Sequence, residues 1–110
     1  MLQFEELKQT LLNEEDALSD LADAMGITKL KEEVARLEEQ AASPDFWNDM
    51  QASQKILQKT SALKNKISAY EALKSKYEDA LALIELGDEA EDLSVLDEAK
   101  AECDGFQKKL

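Results

Sequence analysis

Apolar residues recur along the chain at intervals of three and four, the period of a helix face rather than of a strand. Phe4, Leu7, Leu11, Leu18, Leu21 and Met25 lie on one such seam and predict a helix over about 2–25. Glu14 takes the skipped seam position, so the middle of that helix is weakly specified. Gly26 follows as a left-handed C-cap. Ile27, Leu30, Val34 and Leu37 predict a second helix over about 28–41, with Thr28 as N-cap and Ile27 folding over it as a hydrophobic staple. Ile56, Leu63, Ile67, Tyr70, Tyr77, Leu81 and Ile84 continue as a heptad seam and predict the longest helix, over about 49–86. Thr60 and Lys74 are polar gaps in that seam, and Leu57, Leu73, Ala80 and Leu83 widen it. Gly87 reads as its cap. Leu93, Leu96, Ala99, Cys103, Phe106 and Leu110 predict a last helix over about 92–110, whose seam is still running at Leu110. We therefore expect a single helical domain over 1–110 that is the N-terminal piece of a longer chain.

Between the second and third helices stands ASPDFWND, residues 42–49. It holds the one proline, Pro44, and the one tryptophan, Trp47, beside Phe46. Ser43 and Pro44 suit an N-cap and a first helical residue, and Pro44 also disfavours helical geometry at Ser43. Asn48 and Asp49 suit the cap of the helix that follows. The segment reads as one short helical turn at the tip of a hairpin, with Pro44, Phe46 and Trp47 as structural tip residues. A turn between two helices leaves the end of their apolar seam open, so Phe46 and Trp47 are expected to close it as a plug; the alternative is Trp47 as an exposed anchor for a partner.

Composition agrees with the periodicity. Glycine and proline together number four, and 35% of residues are charged. That favours long helices over a sheet. The predicted fold is all-α, an elongated antiparallel helical bundle or coiled-coil hairpin of three to four helices. Seams open at both ends predict that the piece can form a homodimer.

The net charge of −12 disfavours nucleic acid and anionic membrane as partners of the chain as a whole. The charge is uneven, because residues 50–77 hold six lysines and one acid, Glu71. Either those lysines pair with acidic neighbours and solvate a face, or some of them meet a polyanion. No apolar run reaches the length of a membrane span, and the acidic N-terminus is unlike a signal peptide, so a cytoplasmic location is expected.

No reactive centre is visible. The chain has no histidine, a single cysteine and no glycine-rich phosphate loop. A di-metal carboxylate bundle needs inward-facing histidines. Neither catalysis nor a cofactor is expected, and Cys103 reads as a small apolar residue of a helix.

PDFWND, preceded by LEEQ and followed by a helix carrying Gln54 and Lys55, resembles the N-terminal domain of bacterial peptide chain release factor 2. The stretch KISAYEALKSKYEDALALIELGDEAED resembles that family's long helix and the acidic turn after it. The resemblance covers most of the chain, best over 28–110. It implies a factor that reads UAA and UGA stop codons with a Ser-Pro-Phe tripeptide and triggers peptidyl-tRNA hydrolysis with a Gly-Gly-Gln motif. Neither motif occurs in this chain, and Ser43-Pro44-Asp45 is not the codon reader. For this domain the resemblance implies docking near the stalk base of the large ribosomal subunit and communication with the release-factor GTPase. Lys55, Lys59, Lys64 and Lys66 would then face ribosomal RNA. A generic coiled-coil adaptor or dimerisation module fits the heptads equally well; PDFWND separates the two readings.

Overall fold

A computed structural model describes all residues from Met1 to Leu110. The chain is all-α: α1 (Leu2–Leu12), α2 (Glu15–Met25), α3 (Ile27–Ala41), α4 (Met50–Ala90) and α5 (Leu96–Lys109), with 3-10 turns at Phe46–Asn48 and Leu93–Val95. The first predicted helix is thus two. At the weak position the Glu14 N–H turns to the Leu11 carbonyl at 3.0 Å, a tighter bond than the α-helical ladder makes. Gly26 adopts the left-handed conformation with φ 65, and α3 begins at once with Ile27, so Thr28 lies inside the helix and caps nothing. The residues form two compact units.

Unit 1 comprises Met1–Leu21 and Glu71–Leu110. Its core is Phe4, Leu11 and Leu18 from the first helices, Leu73, Tyr77, Ala80 and Ile84 from α4, and Ala99, Cys103 and Phe106 from α5. Burying a side chain of the size of Phe4 or Phe106 contributes about 1.5–3 kcal/mol. The rings of Tyr77 and Phe106 meet edge to face at 5.4 Å. α1 runs antiparallel to the end of α4: the Met1 ammonium pairs with Asp88, and Lys8 Nζ lies 3.3 Å from Glu85 Oε1.

The end of α4 departs from the sequence expectation. Gly87 is inside the helix, not its cap. The Phe4 ring lies across it, and a Cβ at Gly87 would stand 2.6 Å from Phe4 Cε1 and 2.8 Å from Cζ. The position needs glycine because an aromatic ring occupies the space a side chain would take. The helix ends three residues beyond, at Ala90. Glu91 takes the left-handed conformation with φ 50. The Asp92 N–H reaches back to the Gly87 carbonyl and the Glu91 N–H to the Asp88 carbonyl, each at 3.1 Å. These two bonds satisfy the last carbonyls of the helix as a Schellman motif. Asp92 Oδ1 then accepts from the Ser94 N–H at 3.0 Å and from its hydroxyl at 2.6 Å, which starts the 3-10 turn leading to α5 and holds the Asp92 carboxyl below its ordinary range.

Unit 2, Ala22–Tyr70, is a helical hairpin of α3 and the first part of α4. Ile27, Val34 and Leu37 are its buried apolar residues. From α4 the most buried positions are polar, Ser53 and Thr60. Thr60 satisfies its hydroxyl by donating to the Ile56 carbonyl at 2.8 Å, so the polar gap of the seam sits inside at little cost. Arg36 holds Glu33 through two hydrogen bonds at 2.5 and 3.0 Å.

Candidate functional site

The hairpin loop is built by short-range hydrogen bonds. The Phe46 N–H donates to the Ser43 carbonyl at 3.1 Å and the Asn48 N–H to the Asp45 carbonyl at 3.0 Å, which winds residues 43–48 into a tight turn. Asp49 Oδ1 accepts from the Ala52 N–H at 3.1 Å, so Asp49 caps α4. Ser53, on the first turn of α4, then locks the loop to the helix. Its hydroxyl contacts both the Phe46 carbonyl and the Asp49 carbonyl, the latter at 2.8 Å. Sequence reading missed Ser53. The available signal is its position three residues before Ile56, where it continues the heptad seam toward the turn as a small polar residue.

Pro44 is exposed, Phe46 half-buried and Trp47 55% exposed. The plug expected of Phe46 and Trp47 together therefore holds at most for Phe46. A 3-10 turn has three residues per turn, so neighbouring side chains diverge by about 120°. With the Phe46 backbone held by Ser53, the next residue points elsewhere. The Trp47 and Phe46 rings meet in a T-shaped pair at 4.9 Å with the planes at 79°. Met50, at the start of α4, is also 55% exposed, and Leu57, two helical turns on along the same face, is 41% exposed. The hairpin thus shows an aromatic tip and a broken apolar row beside it.

The four lysines divide into two pairs. Lys59 Nζ lies 3.3 Å from Glu33 Oε1 and Lys64 Nζ 3.1 Å from Glu38 Oε2, so both fasten α4 to α3. Arg36, and after it Lys59, hold the Glu33 carboxyl down at about 2. Lys55 and Lys66 make no ion pair within the chain; Lys55 lies in an open groove with Gln51, Gln54 and Gln58. The structure brings Lys55, Lys59 and Lys66 to one side of α4 by their spacing, but only Lys55 and Lys66 keep an unneutralised charge there.

Cys103 is buried, and burial first, then Asp104 and Glu102, push its thiol up. No three metal-ligating side chains converge. No helix is long and apolar enough to cross a membrane.

The exposed Trp47 edge of the hairpin and the unpaired Lys55 and Lys66 beside it are the candidate binding surface. The PCRF domain profile matches residues 30–110, and the chain belongs to that family. Over 96% of its length it is 31% identical to the peptide chain release factor 2 of Streptomyces avermitilis, and over 98% it is 33% identical to that of Salinispora tropica. A relative of the same name from Acholeplasma laidlawii is 31% identical over 96% of the chain. The chain spans 28% of the length of the first of these relatives and 27% of the second. No solved structure matches it significantly.

Proposed function

We propose that this chain is the docking domain of a translation termination factor acting at UAA and UGA codons, and that it binds the large ribosomal subunit near the stalk base. The observation that carries the reading is the family match over residues 30–110, together with relatives named peptide chain release factor 2 along nearly the whole chain. Hydrolysis of peptidyl-tRNA would then belong to residues outside this chain, and the release-factor GTPase would be a second partner in a cytoplasmic setting. The hairpin supports the ribosomal role. Lys55 and Lys66 are the lysines available to phosphate, while Lys59 and Lys64 are committed to Glu33 and Glu38.

Co-sedimentation of the chain with purified large subunits across a salt series tests this. Binding that weakens as salt rises is expected, with Lys55→Glu/Lys66→Glu lowering both the affinity and the salt dependence. Lys59→Glu/Lys64→Glu is expected to lower thermal stability as well, because it sets like charges against Glu33 and Glu38. A chain that stays in the supernatant at every salt concentration contradicts the proposal.

A further inference from the structure

Unit 1 carries 18 acidic and 6 basic residues, whereas unit 2 carries seven of each, so the whole net charge of −12 belongs to unit 1. On this acidic unit α4 and α5 leave a groove between them. Asp79, Leu83 and Leu86 line it from α4, and Glu98 and Glu102 from α5. Positions 79, 83 and 86 share one helix face, and 98, 102 and 105 share another, so the two walls run alongside each other. The groove is shallow, and Leu86 stands 62% exposed along it. None of the three carboxylates is engaged in an ion pair within the chain. The groove continues to Gly105, with Lys76 at that end. No atom lies within 4 Å of a Cβ built at Gly105, so nothing inside the chain requires glycine there.

We propose that this groove binds a basic amphipathic helix of a protein partner. Apolar side chains of that helix, spaced three and four apart, would cover Leu83 and Leu86. Its lysines and arginines would reach Asp79, Glu98 and Glu102 on the two rims. The charge selects this occupant over the others. Nucleic acid would set phosphates against carboxylates, and a second copy related by a two-fold axis would set the acidic rims against each other. The inference is independent of ribosome docking, which concerns the lysines of unit 2.

The test uses the isotope-labelled chain and a synthetic Lys/Leu helix about five turns long, with no ribosome present. A scrambled peptide of the same composition removes the apolar face but keeps the charge. Expected are amide shifts at residues 79–86 and 98–105, with the scrambled peptide bound at least roughly tenfold more weakly. Leu86→Ser and Glu102→Lys should each weaken binding by roughly tenfold without lowering the melting temperature, since both alter surface groups away from the helix ends. Equal binding of the two peptides, or shifts confined to other residues, overturns the proposal. So does a dimer in sedimentation that Leu86→Ser abolishes, because the occupant is then a second copy.

Discussion

Two glycines of unit 1 carry opposite consequences for the same substitution. At Gly87 a methyl group would drive into the Phe4 ring. Overpacking of that kind costs about 1–3 kcal/mol, against a gain in helix propensity of about 1 kcal/mol. Gly87→Ala should therefore lower the urea midpoint, and Phe4→Leu in the same chain should recover part of the loss. At Gly105 the space is open, so Gly105→Ala should raise stability by about 1 kcal/mol. Equal effects of the two substitutions would contradict the packing described for Phe4. Tyr77 offers another single-residue test. Its hydroxyl is buried with no hydrogen-bond partner, and burial, then Glu15, push the phenol up. Tyr77→Phe removes an unsatisfied group while keeping the edge-to-face contact with Phe106. It should be neutral or stabilising by up to about 1 kcal/mol, read from the same denaturation curves. At this scale the sequence was only partly legible. Gly26 announced its left-handed turn. Gly87 did not announce its role, because a glycine needed for a cap and one needed under a ring look alike. Trp47 misled for a related reason: adjacency to Phe46 says nothing about which of two diverging side chains is taken inward.

Among the elements, α4 was the most legible and its end the least. Long runs of three-and-four spacing fix the helix, but of the seam residues read for it only Tyr77 and Ile84 are buried, beside Ser53, Thr60, Leu73 and Ala80. The stop depends on which residue accepts a left-handed backbone, and here that residue is Glu91. A side chain in that conformation is strained by about 1–2 kcal/mol, part of which glycine returns to the unfolded chain as entropy. Glu91→Gly should raise stability by about 1 kcal/mol, measured as a higher urea midpoint with an unchanged slope. The pairing of α3 with α4 has a pH signature of its own. Glu33 is held at about 2 by Arg36 and Lys59, well below an ordinary glutamate near 4.5. A carboxylate lowered on folding stabilises the fold above its unfolded value, and that contribution is lost as pH falls through the folded one. The stability gap between the wild type and Glu33→Gln should be full above about pH 4.5 and close toward pH 2. A gap unchanged across that range would mean that Glu33 acts by packing and not by charge.

For the whole molecule, what the sequence offered was a net charge, and what the fold adds is its address. Residues 1–21 and 71–110 are remote in the chain yet form one unit, and that unit holds the entire excess of acid. No window sliding along the sequence could group them, and the lysines of 50–77 divide between the units, with Lys74 and Lys76 in the acidic one. The division between paired and unpaired lysines was hidden in the same way, since it rests on which glutamates of α3 face α4. The family, by contrast, was legible in PDFWND and the helix after it, because an uncommon local motif carries identity that heptads do not. The central claim is that the hairpin of unit 2 is the face this chain offers to the ribosome. Hydrogen–deuterium exchange of the chain, free and bound to large ribosomal subunits, tests it most directly. The account predicts slowed exchange on binding across residues 46–66, from the Phe46–Trp47 turn to Lys66. Bound chain with unchanged exchange there, or with protection only in unit 1, would contradict it.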